Sequence, residues 1–287
     1  MTFIADFFEN HPIKKIGRGE YIVGGKGKVG FLVFPGSGQD ANACFDLVDE
    51  FEKKYKAIAV SYTNFYDLGS FFEFVNEVLE KEGVDKVTIY GLSLGGFLAQ
   101  HYVRRFPETV ESIILSHSST TQSKTTIRRV IRPGKFVYQF LPFIPQRLLN
   151  RFVLPVAGRV QAGNSNLKTI WNKYSTKENL ERRIEFGKRT TFVMIDKDYL
   201  KTVHSLGTEM ERLEKKFTPH DLDDWKGKIL VIRTENDPLA QDDGMFMKWY
   251  PNAKVVTFQE TGHLSAFIRF EEMVKVIQNF LYLEHEN

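Results

Sequence analysis

The 287-residue sequence contains one cysteine, Cys44, so no internal disulfide can form. No stretch approaches the roughly 20 consecutive apolar residues that span a bilayer, and the N-terminus lacks the basic start of a signal peptide. We therefore expect a cytoplasmic protein that is soluble or peripheral to a membrane. The sequence also lacks a cluster of metal-ligating side chains and a nucleotide-binding glycine fingerprint, so we expect neither a metal nor a cofactor.

Short β-branched and aromatic runs alternate with amphipathic segments, a pattern typical of βαβ units and a mostly parallel sheet. We predict strands at residues 29–34, 57–61, 86–90, 112–116, 228–234 and 253–259. We predict helices at residues 43–54, 70–81, 94–106, 241–249 and 265–283. The first 25 residues are rich in glycine and predict short antiparallel strands joined by turns.

The alternation of strands and helices stops after Ser116 and resumes at Lys228. An interval of this length is too long for a loop inside a compact domain, and its character is helical. We therefore predict a core domain formed by residues 1–118 and 224–287, with a helical cap inserted at residues 119–223.

The strongest local motif is Gly-x-Ser-x-Gly at residues 91–95, between a predicted strand and the helix that begins at Leu94. In a strand-turn-helix context this motif is a nucleophile elbow, where close backbone packing leaves no room for side chains at Gly91 and Gly95. Ser93 is therefore our candidate nucleophile. Outside that context, the motif would be a glycine-rich turn without a catalytic role.

A serine nucleophile needs a base within hydrogen-bonding reach and a third group that orients the base. The partners of an elbow serine follow in the chain order acid, then histidine. Asp237 follows the predicted strand 228–234 and His263 follows the strand 253–259, so both lie at the carboxyl edge of the sheet, as Ser93 does. Asp237 alone would be interpreted as a turn residue before a proline, and Glu235 remains a second candidate for the acid.

Acyl transfer also needs N–H donors for the negative charge that develops on the substrate oxygen. We assign one donor to the backbone N–H of Leu94, directly after the nucleophile, and the other to the N–H of Ser37, in the loop at residues 34–38. The alternative interpretation of that loop is a flexible turn without a catalytic role. His117 ends the strand 112–116 and is a candidate for lining the pocket.

With these motifs the chain resembles the α/β-hydrolase superfamily over nearly its whole length. The matching segments are residues 34–38, 91–96, 237–238 and 262–263. The resemblance implies an α/β fold with an eight-stranded, mostly parallel sheet, flanking helices and a helical cap after the sixth strand. It also implies the roles of nucleophile, acid and base for Ser93, Asp237 and His263. Pro35 stands where many members have a histidine before the glycine of the donor loop. A serine nucleophile argues against the haloalkane dehalogenase and epoxide hydrolase branches, which use aspartate at that position.

A closer similarity to maspardin-like proteins lies in residues 84–87, 93–100 and 250–253. We predict a hydrolase that cleaves carboxylic esters of small to medium acyl chains through an acyl-enzyme. Thioesters and lipids remain alternative substrate classes. One alternative, which the resemblance to maspardin-like proteins implies, is a non-catalytic binding or adaptor protein that keeps the fold. Another is a hydrolase or lyase that acts on C–C bonds with the same triad.

One long segment has no acidic residue. The formal net charge of the chain is +3, yet residues 119–177 contain eleven basic residues and no acid. These are Lys124, Arg128, Arg129, Arg132, Lys135, Arg147, Arg151, Arg159, Lys168, Lys173 and Lys177. Such a run is usually a solvated face. Because it surrounds the aromatic and aliphatic stretch 136–156, it would also suit an anionic membrane or an acidic carrier of the acyl substrate.

Overall fold

Uninterrupted apolar runs form the central strands, as expected for a parallel sheet that is covered on both faces. In the strand Val29–Phe34, the side chains of Phe31 and Val33 lie on one face and those of Leu32 and Phe34 on the other, and all four are fully buried. The computed structural model describes residues 3–140, 143–148, 151, 167–174, 176, 181, 196–240 and 244–282.

In the described part of the chain, eight strands form one sheet in the order β1-β2-β4-β3-β5-β6-β7-β8. The strands are β1 Lys14–Ile16, β2 Gly19–Gly24, β3 Val29–Phe34, β4 Lys56–Val60, β5 Lys86–Leu92, β6 Val110–Ser116, β7 Lys228–Thr234 and β8 Lys254–Phe258. β2 pairs antiparallel with β1 and β4, and the other neighbours pair parallel. The predicted eight-stranded, mostly parallel sheet is confirmed, and each predicted strand boundary lies within two residues of the observed one.

Helices pack on both faces of the sheet. The helices Leu68–Glu82, Leu94–Arg105 and Met245–Trp249 cover one face. The helices Phe3–Asn10, Phe45–Phe51 and Phe270–Tyr282 cover the other. Each large apolar side chain buried in this way stabilises the fold by about 1.5–3 kcal/mol relative to exposure.

The first ten residues differ from the predicted strands, because Phe3–Asn10 is a helix. Strands β1 and β2 do follow it, as the glycine-rich sequence predicts. The helix is held by tertiary contacts that local composition does not reveal. Phe7 is buried against Phe45, with ring centroids 5.7 Å apart, and His11 bonds through Nε2 to Glu52 at 2.6 Å.

Two helices near the C-terminus also differ from prediction. The predicted helix 265–283 is divided at Arg269 into Ser265–Ile268 and Phe270–Tyr282, while residue 283 lies outside the described residues. The guanidinium of Arg269 lies over the Phe258 ring at 4.5 Å, a tertiary contact at the break. The predicted helix 241–249 is observed as Met245–Trp249, and residues 241–243 lie outside the described part.

Between β6 and β7, the described residues form helices and no strand. A continuous helical run, here called the basic helix (residues 124–140), contains a π-helical turn at Ile127–Ile131. Shorter helices lie at Gln146–Leu148 and Leu167–Tyr174, and a long helix spans Lys197–Glu214. The division of residues 119–223 from the core as a cap stays a prediction. No helix in the described ranges combines the length and apolarity needed to cross a membrane.

Candidate active site

Ser93 lies in a strained turn between β5 and the helix Leu94–Arg105. Its backbone φ of 50° and ψ of −111° fall in a region that non-glycine residues rarely adopt. A Cβ atom at Gly91 would overlap the backbone of Gly95, and one at Gly95 would overlap the carbonyl of Phe34. The glycines of the motif are therefore required by close backbone packing, and the geometry is that of a nucleophile elbow.

The end of β6 holds this strained turn in place. The N–H of Ser93 donates to the carbonyl of Ser116 at 2.9 Å. The hydroxyl of Ser118 donates to the carbonyl of Ser93 at 2.8 Å. Backbone strain of about 1–3 kcal/mol persists only where surrounding contacts fix it, and these two bonds supply such contacts.

The structure brings Ser93, His263 and Asp237 together at the carboxyl edge of the sheet. The Oγ of Ser93 lies 3.0 Å from Nε2 of His263. The Nδ1 of His263 lies 2.9 and 3.1 Å from the two carboxylate oxygens of Asp237. Because a carboxylate only accepts, Nδ1 carries a proton, and in the neutral imidazole Nε2 is then the acceptor for the serine proton. This chain of hydrogen bonds is the arrangement that activates a serine.

Asp237 is fully buried and its carboxylate is held in one orientation. Its Oδ1 accepts hydrogen bonds from the backbone N–H groups of Leu239 at 2.8 Å and Ala240 at 2.9 Å. Burial by itself raises the pKa of Asp237, but the charge interaction and hydrogen bond with His263 outweigh burial and hold the pKa below its usual value. Glu235, the second candidate for the acid, is exposed and bonds through its backbone N–H to Phe258.

Asn236 ties the acid loop to the histidine loop, a role that the sequence did not predict. Its Oδ1 accepts from the N–H of Gly262 at 3.0 Å, and its Nδ2 donates to the carbonyl of Glu260 at 3.3 Å. Asn236 and Gly262 directly precede Asp237 and His263. The amide side chain therefore fixes the relative position of the two loops.

The predicted donor loop packs directly against the elbow. Gly95 lies so close to Phe34 and Pro35 that no side chain would fit between them. In the described residues, neither the N–H of Leu94 nor that of Ser37 donates to a protein acceptor. Both groups are thus available as donors, and the packing of their neighbours brings the two segments to the same side of the sheet.

Tyr199, in the long helix, holds this donor loop. Its buried hydroxyl accepts from the N–H of Gly38 and lies 2.7 Å from Oγ of Ser37 and 3.2 Å from the hydroxyl of Tyr62. Tyr62 donates in turn to the carbonyl of Gly36 at 2.9 Å. Sequence reasoning missed both tyrosines, because Tyr199 is 162 residues from Ser37 along the chain and belongs to no motif.

His117 is fully buried beside the triad, with its ring centroid 6.4 Å from that of His263. Its Nδ1 bonds to Ser116 and its Nε2 to Thr234, each at 3.0 Å. Burial lowers the pKa of His117 to about 4, although the charge of Asp237 opposes this shift. His117 is therefore neutral at physiological pH, and both of its nitrogens are occupied by hydroxyl groups.

Among the described residues, no group of three or more His, Cys, Asp or Glu side chains is arranged to hold a metal ion. The other buried histidine, His101, lies in the helix Leu94–Arg105 with its Nε2 3.4 Å from Oε1 of Glu214. It takes no part in the hydrogen bonds around Ser93.

Comparison with known families gives a match to the sequence model described as alpha/beta hydrolase fold, over residues 35–270. Comparison with curated protein sequences gives no match. The maspardin-like branch stays a sequence-based prediction.

Solved structures of several hydrolases share the fold. An α/β hydrolase from a Medee basin deep-sea metagenome library has a TM-score of 0.69 at 16% identity, covering 94% of this chain and 96% of its own. An enol-lactonase from Burkholderia xenovorans has a TM-score of 0.65 at 17% identity, covering 94% and 100%. A carboxylesterase from the thaumarchaeon Nitrososphaera gargenis has a TM-score of 0.67 at 13% identity, covering 96% and 99%.

Proposed function

Since the chain belongs to the α/β-hydrolase fold family, we propose that it is a serine hydrolase that cleaves carboxylic esters of small to medium acyl chains. One observation carries the proposal: Oγ of Ser93 lies 3.0 Å from Nε2 of His263, whose Nδ1 bonds to the buried carboxylate of Asp237. The distance from Oγ to Nε2 is within the range for proton transfer between a nucleophile and its base.

In the first half of the reaction, Ser93 attacks the carbonyl carbon of the ester while His263 accepts the serine proton. The developing oxyanion is bound by the N–H groups of Leu94 and Ser37. His263 then returns the proton to the alcohol oxygen, the C–O bond breaks, and the acyl group stays on Ser93. Asp237 remains ionised and stabilises the imidazolium that forms in this step.

Water completes the reaction by the same steps in the opposite sense. His263 accepts a proton from water, the resulting hydroxide attacks the acyl carbonyl, and Ser93 leaves with the proton from His263. The products are a carboxylic acid and the free enzyme. Apart from the ester and one water molecule, the steps balance with groups of the chain alone.

Preorganisation favours catalysis over a purely binding role. The strained elbow at Ser93, the fixed carboxylate of Asp237 and the link that Asn236 makes between the two loops all hold the side chains for proton transfer. A binding protein has no use for a serine bonded to an oriented histidine. The names of an enol-lactonase and a carboxylesterase among proteins of the same fold agree with an ester substrate.

The proposal is tested by labelling with a fluorophosphonate probe, followed by kinetics on p-nitrophenyl esters of increasing acyl length. The wild-type protein is expected to be labelled on Ser93 alone and to prefer short or medium chains. Ser93→Ala should lose labelling and lower kcat by about 10⁴–10⁶, with an unchanged circular dichroism spectrum. Labelling or most of the ester hydrolysis surviving in Ser93→Ala would refute the assignment, and a wild-type protein that is never labelled would favour the binding role.

A further inference from the structure

The basic helix presents an outward stripe of arginine and phenylalanine side chains. Arg128, Arg132, Phe136 and Phe140 follow one another at four-residue spacing, which places them on one side of the helix. All four side chains are exposed. The rings of Phe136 and Phe140 contact each other, with centroids 4.8 Å apart. The stripe therefore has a cationic end and an aromatic end.

Side chains of the basic helix outside this stripe make its contacts with the rest of the protein. The ring of Tyr138 stacks on that of His204 in the long helix, with centroids 3.5 Å apart and planes 4° from parallel. Lys135 pairs with Glu211 on the same helix at 2.7 Å. The outward stripe is thus not needed to attach the basic helix to the fold.

Exposed phenylalanine side chains in such numbers are unusual on a free surface. Phe136 is 63% exposed, Phe140 47% and the nearby Phe143 82%. Large apolar side chains grouped on a surface mark sites that contact another protein or a membrane. A surface required only for solubility would carry polar side chains at these positions.

The segment that carries these rings has charge of one sign in its sequence. Arg128 and Arg132 belong to residues 119–177, which contain no acidic residue. A helix with cationic and aromatic side chains on its exposed side is suited to the boundary between lipid headgroups and acyl chains, where the cations bind anionic headgroups and the rings are buried. We propose that the outward stripe docks the protein onto an anionic lipid bilayer. Exposed rings favour a bilayer over an acidic carrier protein, because a bilayer accepts inserted rings and carries the complementary charge.

The stripe lies at the same edge of the sheet as the triad. Arg129, its neighbour on the basic helix, donates to the carbonyl of Pro238 at 2.8 Å. Pro238 directly follows Asp237. Docking through the stripe would therefore turn the carboxyl edge of the sheet toward the lipid. Binding itself requires no chemistry at Ser93, so Ser93→Ala should bind vesicles as the wild-type protein does.

Sedimentation with vesicles of phosphatidylcholine and phosphatidylserine measures the electrostatic part of docking. The paired substitution Arg128→Gln with Arg132→Gln should weaken binding about 30-fold, since each basic side chain near an anionic bilayer contributes about fivefold. The matched control is Lys26→Gln with Lys226→Gln. It removes the same charge from two exposed lysines at the opposite edge of the sheet, before β3 and β7, and should leave binding unchanged.

The aromatic part is measured with Phe136→Ser and Phe140→Ser together, which should weaken binding by at least about tenfold. Binding of the wild-type protein should fall steeply between 0.1 M and 1 M salt, as the Debye length shortens from about 10 to about 3 Å. Vesicles of phosphatidylcholine alone should bind weakly.

Three results would overturn the proposal. The first is a wild-type protein that ignores anionic vesicles at low salt. The second is an equal loss of binding in the arginine variant and in the lysine control, which would show attraction to total charge rather than docking through the stripe. The third is binding to an acidic acyl carrier protein, lost in the arginine variant, without binding to vesicles. Each result leaves the assignment of Ser93 intact.

Discussion

The carboxyl edge of the sheet and the interval between β6 and β7 hold their important side chains in different ways. At the sheet edge, Ser93, Asp237 and His263 each follow a strand, so the backbone of the sheet determines where they lie. Between β6 and β7, Tyr199 bonds to a loop distant in the chain, and the outward stripe lies on a helix that packs against the long helix. The first arrangement is local in the sequence and the second is not.

The largest effect is expected when the acid at the sheet edge, Asp237, is replaced by its amide. Asp237→Asn should lower kcat about 10⁴-fold, because an amide at this position stabilises the wrong tautomer of His263 and cannot balance the charge of the imidazolium. Steady-state kinetics on p-nitrophenyl acetate measure the loss. The variant should remain folded, since asparagine has nearly the same shape as aspartate.

Glu235→Gln is the matched control, since it makes the same chemical change two residues earlier on an exposed side chain. Its kcat should stay within about twofold of wild type, as is usual for surface substitutions that remove no contact. If Glu235→Gln lowered kcat more than Asp237→Asn, Glu235 would be the acid and the assignment to Asp237 would be wrong.

Sequence reasoning placed Ser93, Asp237 and His263 at one edge of the sheet because each follows a strand that its own residue pattern predicts. The strand boundaries fell within two residues of those observed, so the residues after them could be assigned to one edge. It missed Asn236 and Tyr199, which act through hydrogen bonds to segments distant in the chain. Nothing in the local sequence of either residue indicates its partner.

A second prediction tests the contact between the two regions, which Tyr199 makes with the donor loop. Tyr199→Phe removes the hydroxyl that accepts from Gly38 and bonds to Ser37, so the donor loop loses its contact with the long helix. We expect kcat to fall about tenfold with KM nearly unchanged. This loss is smaller than the roughly 10²–10³ expected for removal of an oxyanion donor itself, because Tyr199 bonds to the loop that carries the proposed donor Ser37 and is not itself a proposed donor.

Tyr66→Phe provides the control, since this tyrosine is 44% exposed and lies on the loop after β4. It should change neither kcat nor the melting temperature. A Tyr199→Phe protein with a lower melting temperature and the kcat of wild type would show that the tyrosine only stabilises the fold. The two regions would then be catalytically independent.

The same contrast explains the errors in the predicted fold. The helix Phe3–Asn10 and the break at Arg269 both depend on contacts made across the structure, by Phe7 with Phe45 and by Arg269 with Phe258. Glycines near the N-terminus did predict β1 and β2, because turns are encoded locally. Elements whose signals are local were predicted, and those held by distant partners were not.

Apart from the two control variants, the smallest effect on catalysis is expected at His117, which lies at the sheet edge and follows a strand, as Ser93, Asp237 and His263 do. His117→Gln should change kcat by less than about threefold, far below the 10²–10⁴ that a general acid or base contributes, because both ring nitrogens already bond to Ser116 and Thr234.

The substitution His117→Gln should instead alter the pH dependence of stability. Burial lowers the pKa of His117 to about 4 from an unfolded value near 6.5, so the unfolded chain binds a proton first as pH falls. The wild-type protein should therefore lose up to about 3 kcal/mol of unfolding free energy between pH 6.5 and 4 from this residue, and the glutamine variant should lose less. Urea unfolding at pH 7 and pH 4.5 measures the difference, and a hundredfold loss of kcat in His117→Gln would instead reveal a second catalytic histidine at this edge.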